Sequence, residues 1–344
     1  MKAIVFHQHG GPDVLKYTDA PEPPFRANDV LVRIKACALN HLDLWVRRGL
    51  PNVPIPLPHI PGSDIAGEVA KIGPDVTSIR VGQKTVLAPL VSCGKCPACL
   101  AGLDNYCRQA TNLGYMIDGG CAEFVRAPEV NCLPYPENLK WEEAAAIPLV
   151  FQTAWHMLMT RAALQPGEDV LILGAGSGVG SAAIQIAKFF GARVIATAGS
   201  DEKLSKAKGL GADHLINHKS QKIRDEVRRI TNKRGVDVVF EHVGTATWED
   251  SLASLAPAGR LVTCGATTGY DAKVDLRFLF SRQLSLLGSY MGTKSELHTV
   301  MKLVAAGQLK PVVDRVFLLA EAAAAHAYLE SGAQFGKVVL SIES

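Results

Sequence analysis

The chain has 344 residues, 48% of them hydrophobic and 20% charged, which is enough apolar material for two domains of ordinary size. Its formal net charge of +3 gives no electrostatic case for a nucleic-acid partner. The longest apolar runs, such as AAAIPLVF at 144–151, fall short of the roughly 20 residues that cross a bilayer. The opening MKAIVFHQHGG lacks the apolar core and cleavage-type ending of a secretory signal. These features point to a soluble, cytoplasmic protein with no membrane partner.

Residues 1 to about 148 are rich in proline, glycine and short β-branched runs. DVLVRIKACAL, AGEVAKIG and GQKTVLAPL are period-2 patches broken by turn residues, the pattern of a compact, mostly β domain. Within it, CGKCPACLAGLDNYC places Cys93, Cys96, Cys99 and Cys107 in one short loop. Cys37, Cys121, Cys132 and Cys264 are scattered singly, as suits reduced thiols. In a reducing compartment the four close-set cysteines read as metal ligands rather than disulfides.

The texture changes near Ala144. DVLILGAG (169–176) reads as a buried strand and GVGSAAIQIAKFFG (178–191) as a helix with a closing glycine. Strand and helix then alternate through ARVIATAG, SDEKLSKAKGLG, DHLINH, QKIRDEVRRITN, VDVVFEHVG, TATWEDSLASLA, GRLVTCGA and QLSLLGSY. That rhythm predicts an α/β fold with a doubly wound parallel sheet. A helix (KSELHTVMKLVAAG), an Ala-rich helix and a terminal strand (GKVVLSI) follow.

Between the first strand and helix lie Gly174, Gly176, Gly178 and Gly180. Glycines allow a tight turn and close approach to a pyrophosphate, which the helix N-terminus then favours. The match to G-x-G-x-x-G is imperfect, because Val179 takes the sixth position. In its strand–turn–helix setting the segment Gly176, Ser177, Gly178, Val179 and Gly180 is expected to bind a dinucleotide. An NAD site places an acid at the end of the second strand, where this chain has Thr197, Ala198 and Gly199. Ser200 and Lys203 follow, so the reading favours NADPH, whose 2′-phosphate a lysine attracts. The plainer reading makes Ser200 a helix N-cap and Lys203 a surface residue; Asp201 keeps NADH open.

Taken together, GPDVL, GSDIAGEVAKIGPDVTSIRVGQKT, the four-cysteine loop, GGCAEFV, AAAIPLVFQTAW, GAGSGVGSAAIQIAK and GKVVL resemble the medium-chain dehydrogenase/reductase superfamily of zinc alcohol dehydrogenases and quinone oxidoreductases. The resemblance implies a GroES-like catalytic domain over 1–148, completed by 291–344, and a Rossmann domain over 149–290. It also implies a homodimer or homotetramer acting on a small-molecule substrate. Cys93, Cys96, Cys99 and Cys107 match the superfamily's structural-zinc lobe, 93–107. Four thiolates leave no open coordination position, so such an ion holds shape and does no chemistry.

The catalytic zinc of alcohol dehydrogenases would, by the same resemblance, be held at Asn40, at Ser63–Asp64 and near Leu149. An amide, a hydroxyl and a leucine are poor substitutes for two thiolates and an imidazole. What remains resembles the zinc-free quinone and enone reductases. Their substrate site would be lined by NHLDLWVRRG, with Asn40 as the first candidate hydrogen-bond donor. His41 would be donor or relay, Asp43 an orienting group, and Trp45 a donor unable to deliver a proton. Thr153 would face the nicotinamide. Val243, with Gly265, Ala266 and Thr267, would supply contacts near the cofactor, and His242 would lie by the nicotinamide ribose. The expected activity is NADPH-dependent hydride transfer to an activated C=C or a quinone. One alternative is an alcohol or aldehyde dehydrogenase whose metal site is rebuilt from His41, Asp43, His59 and Asp64. Another is a cofactor-binding protein with a structural or regulatory role.

Overall fold

The run DVLVRIKACA forms β1 (Asp29–Ala38), buried along most of its length because it is paired on both sides. Helix α1 (His41–Arg48) follows two residues later. Strands β2 (Asp64–Ile72), β3 (Lys84–Leu87), β4 (Phe124–Pro128) and β5 (Cys132–Pro134) extend the sheet, all antiparallel to their neighbours. Val30, Val32, Ile34, Ile65 and Val69 are fully buried between the pleats, each worth about 1.5–3 kcal/mol of transfer free energy. The computed structural model describes residues 1–51 and 53–342.

A second unit, Val150–Gly292 with Gln308–Lys310, holds a six-stranded sheet. Its strands are β6 (Asp169–Ile172), β7 (Arg193–Ala198), β8 (His214–Asn217), β9 (Val236–Glu241), β10 (Leu255–Thr263) and β11 (Ser285–Gly288). All pairs are parallel and the order is β8-β7-β6-β9-β10-β11. Helices α2 (Gly178–Phe189), α3 (Asp201–Gly209), α4 (Ile223–Ile230) and α5 (Trp248–Ser254) lie between successive strands. Strand order reverses between β6 and β9, and in open α/β sheets ligands bind beyond the carboxyl ends of strands at that point. Leu171, Ile195, Ile216, Val239 and Leu261 fill the core.

The chain then returns to the first unit, Met1–Leu149 with Thr293–Gly307 and Pro311–Ser344. Helix α6 (Lys294–Ala305), strand β12 (Val313–Leu318), helix α7 (Ala322–Glu330) and strand β13 (Lys337–Ser341) complete it. The sheet order becomes β12-β13-β1-β2-β3-β5, with β4 also on β1. Register sets Val339 of β13 and Asp64 of β2 opposite the same residue, Ala38 of β1. Strand β12 and a short helix, Leu276–Ser281, have no counterpart in the sequence reading. Neither contains a fully buried residue, so neither carries a readable apolar period.

Candidate functional site

The four-cysteine loop is closed on itself. The Sγ atoms of Cys93, Cys96, Cys99 and Cys107 all lie within 4.8 Å of one another. Cys99 is 3.9 Å from Cys93 and 3.5 Å from Cys96. A tetrahedral thiolate shell with Zn–S bonds of about 2.3 Å places its sulfurs about 3.8 Å apart, so the cage fits zinc. Main-chain N–H groups of Lys95 and Cys96 pull the Cys93 thiol down to about 6, toward the thiolate a metal requires. Lys294, opening α6, ties the lobe down: its N–H donates to Asp104 at 3.0 Å and its Nζ to Ser92 Oγ at 3.1 Å.

At the junction of β1 and α1, Asn40 has extended backbone and starts the helix. Its main-chain N–H donates to Asp43 Oδ2 at 2.7 Å, and Asp43 Oδ1 accepts the N–H of Gly62 at 3.0 Å. Asp43 is fully buried, and desolvation pushes its carboxyl up to about 6 despite those two bonds. The Asn40 side chain is 5% exposed and turned inward. Its Nδ2 donates to Asp64 Oδ2 at 3.0 Å and reaches the Ala38 carbonyl at 3.5 Å. A residue absent from the sequence reading closes the group: Lys337, 3% exposed at the start of β13, donates from Nζ to Asn40 Oδ1 at 2.5 Å and to Asp64 Oδ2 at 2.8 Å. The remaining Asp64 oxygen accepts the N–H of Leu149 at 2.8 Å.

Helix α1 is anchored at its other end by Arg47, whose side chain is fully buried. The guanidinium donates to the Gly10 carbonyl at 3.1 Å and to Glu330 at 3.1 Å, and meets His326 Nδ1 at 3.4 Å. Burial, with Arg47 alongside, pushes His326 down to about 3, so its ring is neutral and accepts. His41 and Trp45 stack edge to face, 5.6 Å between ring centroids, and both are half-buried. Burial, reinforced by Arg48, lowers the His41 pKa.

In the second unit the glycine turn follows β6. Gly174 has φ +57°, and a Cβ there would lie 3.0 Å from the His242 ring. His242 Nε2 sits 2.9 Å from the Leu173 carbonyl, which requires that nitrogen to carry the proton. A Cβ on Gly180 would lie 2.4 Å from the Gly174 carbonyl. Ser177 caps α2, accepting the N–H of Gly180 at 2.9 Å. Thr197, at the end of β7, accepts the Ala175 N–H on its carbonyl and the Gly174 N–H on its hydroxyl. After β9, the fully buried Glu241 accepts N–H bonds from Val243 and Gly244, fixing that turn. Gly265 and Thr267 border the same place, with Thr267 Oγ1 donating to the His242 carbonyl at 3.1 Å. Thr153 Oγ1 is buried and has no hydrogen-bond partner among the described residues.

Ser200 caps α3, accepting the N–H of Lys203 at 3.3 Å. A Cβ on Gly199 would meet His218 Nε2 at 3.1 Å and Lys219 Cε at 3.2 Å. Burial, with the charges of Lys219 and Lys203, lowers the His218 pKa. Asp201 is taken up by Asn217 Nδ2 at 2.8 Å.

The alcohol dehydrogenase GroES-like domain matches residues 26–137, and the zinc-binding dehydrogenase domain matches residues 178–306. The chain is 34% identical to an NAD-dependent alcohol dehydrogenase of Sulfolobus acidocaldarius, over 99% of this chain and 100% of the relative. The chain belongs to the zinc-type alcohol dehydrogenase and quinone oxidoreductase superfamily of medium-chain dehydrogenases/reductases. It is also 29% identical to a quinone oxidoreductase of Rattus norvegicus, over 99% and 97% of the two chains. The crystal structure of an NAD-dependent alcohol dehydrogenase superposes with TM-score 0.96 at 48% identity, covering both chains fully. The protein is thus an oxidoreductase with a GroES-like domain and a parallel-sheet Rossmann-type domain, and its superfamily uses NAD(P) and zinc.

The superfamily's catalytic zinc does not fit the residues present. Asn40 Oδ1 and Asp64 Oδ2 both accept from the Lys337 ammonium. Ser63 Oγ is buried without a partner among the described residues. Leu149 contributes only a main-chain N–H. His59 faces Asp118 at 3.6 Å and packs against Phe6. Among the described residues, the four cysteines form the one group of three or more His, Cys, Asp or Glu side chains able to hold an ion. His41, Asp43, His59 and Asp64 form none.

For the dinucleotide the residues do fit. Gly174 and Gly180 let the turn close tightly between β6 and α2, the α2 N-terminus opens at Gly178, and Thr153 Oγ1 is an orphaned buried donor. The sequence reading did not single out Lys337, Glu241, His218 or Lys219.

Proposed function

We propose that this protein is an NADPH-dependent reductase of activated alkenes or quinones that works without a catalytic metal. One observation carries the reading: the oxygens of Asn40 and Asp64 converge on a lysine ammonium rather than presenting an open shell. A Lewis acid is needed most when an alkoxide must be stabilised; conjugate reduction spreads charge over an enolate and asks mainly for positioning and hydrogen-bond donors. When bound, NADPH would supply the hydride for the β-carbon, and water would supply the proton for the α-carbon.

The chain's own groups position the reactants. The glycine turn and the α2 N-terminus receive the pyrophosphate, and Thr153 Oγ1 offers its unspent hydroxyl to the nicotinamide. Lys203, His218 and Lys219 surround the end of β7 with positive and hydrogen-bonding groups, the chemistry a 2′-phosphate calls for, while Asn217 holds the nearby Asp201. Because the amide hydrogens of Asn40 are spent on Asp64 and Ala38, Asn40 positions and His41 and Trp45 take the donor role toward substrate. Lowered by burial, His41 is neutral at pH 7 and donates a single N–H.

A second reading, an NAD-dependent alcohol dehydrogenase, is favoured by the likeness to the NAD-dependent alcohol dehydrogenase that superposes at 48% identity. A zinc count on purified protein, joined to a screen with enones, quinones, enoyl thioesters and aldehydes against both coenzymes, separates the two. One zinc per chain with NADPH-coupled enone or quinone reduction supports the proposal. Two zincs with alcohol oxidation by NAD sinks it.

A further inference from the structure

We propose that Lys337 is the resident cation of this site: its ammonium takes the charge and the ligand atoms a catalytic metal would take, and fixes Asn40 as a positioning group. This rests on the metal-free reading above.

The argument begins with register. Strands β13, β1 and β2 are adjacent, and Ala38 stands opposite both Val339 and Asp64. The N–H of Leu39 donates to the Val338 carbonyl at 2.8 Å, so the sheet holds the start of β13 beside the start of α1. Lys337, Asn40 and Asp64 therefore meet at one end of three neighbouring strands, and none is more than 5% exposed. Asp64 Oδ2 takes two donors, Asn40 Nδ2 and Lys337 Nζ, and Asp64 Oδ1 takes the Leu149 N–H.

The triangle also dictates which way the Asn40 amide faces. Flipped, its NH₂ would point at an ammonium and its oxygen at a carboxylate, two repulsive contacts in place of two attractive ones. Asp43, the other buried acid, stands outside the triangle, occupied by the N–H groups of Asn40 and Gly62. Among the described residues Asp64 thus has a single cationic partner, covalently part of the chain and sitting where the two side-chain acceptors meet. A divalent ion entering between Asn40 Oδ1 and Asp64 Oδ2 would have to displace that ammonium, which the chain keeps at hand.

Breaking a buried ion pair on one side is strongly destabilising, whereas removing both charges together is often close to neutral. The test uses full-length protein with its zinc lobe intact, as wild type, Lys337→Ala, Lys337→Met and the double variant Lys337→Met/Asp64→Asn. Zinc content, melting midpoint and turnover with the coenzyme and acceptor found in the screen are read for each, with and without ethylammonium chloride. Wild type should hold one zinc per chain and be indifferent to ethylammonium. Lys337→Ala should melt earlier and lose at least about tenfold in turnover, corresponding to at least about 1.4 kcal/mol. Ethylammonium, which fits the vacated space and donates N–H bonds, should restore both; tetramethylammonium, which has no N–H, should not. The double variant should melt closer to wild type than Lys337→Met does, a comparison that stands even if Lys337→Ala does not fold.

A Lys337→Ala protein that matches wild type, or a loss that neither ethylammonium nor the Asp64→Asn partner change repairs, overturns the proposal and leaves the metal-free reading standing. A wild type with a second zinc that Asp64→Asn removes overturns both. A one-zinc wild type that turns over only alcohols and aldehydes sinks the reductase reading, while ethylammonium rescue of Lys337→Ala still supports the cation role.

Discussion

Asp43 accepts the main-chain N–H of Gly62 at 3.0 Å, binding the start of the site helix to the turn that leads into β2. Its buried carboxyl is pushed up to about 6 by desolvation, against the N–H bonds of Asn40 and Gly62 and the charge of Lys337, with Asp64 adding to the rise. A folded-state value above the unfolded one means that folded protein binds the proton more readily. The cost of the buried charge is therefore present above pH 6 and is relieved as pH falls through 6 toward the unfolded value. Relative to Asp43→Asn, which does not titrate, wild type should gain roughly 1–1.5 kcal/mol between pH 7.5 and 5, and about 3 kcal/mol below pH 4. Denaturant midpoints of the two proteins across that range check this. A constant difference would remove Asp43 as a titrating buried group.

Gly62 itself is the next weak point. It has φ +102°, and a Cβ would lie 2.6 Å from Cys37 Sγ, 2.8 Å from Cys121 Sγ and 3.0 Å from the Cys121 main-chain nitrogen. Gly62→Ala combines backbone strain with a clash in a fully buried place, and should cost more than about 3 kcal/mol. Gly82 has φ +81° with nothing within 4 Å of its Cβ position. Gly82→Ala carries the strain alone and should cost about 1–2 kcal/mol. Equal losses in urea unfolding would show that packing against the two cysteines is not what reserves position 62 for glycine.

Removing one thiolate from the lobe tests whether its ion is structural. Cys96→Ser should release the zinc and loosen the lobe, with turnover lost only through unfolding or altered assembly. The measurement is zinc content, melting midpoint and turnover on the same preparation. A demetallated protein that stays folded and assembled but has lost turnover would give the ion a chemical role, contrary to a closed four-thiolate shell.

The parts legible in the sequence are those that repeat or crowd. The βα alternation from Asp169 onward, the glycines around Gly176 and the four cysteines each compress their geometry into a short stretch, so residue type and spacing suffice. Lys337 was out of reach because its partners lie 297 and 273 residues away; only the β13-β1-β2 register brings them together. The same distance hid the inward turn of Asn40, whose amide looks available until Asp64 is seen beside it. Strand β12 was invisible for another reason: as an edge strand it is half exposed, and VDRVFL alternates too weakly to signal. His218 lies on the loop after β8, and only the parallel β7–β8 pairing sets it over Gly199.

That same neighbourhood is where the proposed preference for NADPH can be tested. Lys203 lies in the first turn of α3, three residues after the Ser200 cap, and His218 and Lys219 approach Gly199 from the loop after the next strand. A 2′-phosphate there would replace repulsion among these groups with charge-assisted hydrogen bonds, each worth about 1.5–3 kcal/mol. Lys203→Ala should therefore raise KM for NADPH about tenfold or more while changing KM for NADH less than about twofold. His218→Ala should act in the same direction more weakly, since a ring lowered by burial and by two lysines is neutral until the phosphate arrives. Raised ionic strength should narrow the difference between the coenzymes in wild type and leave Lys203→Ala nearly unaffected. Equal rises in KM for both coenzymes would take Lys203 out of the phosphate site and return the preference to NADH.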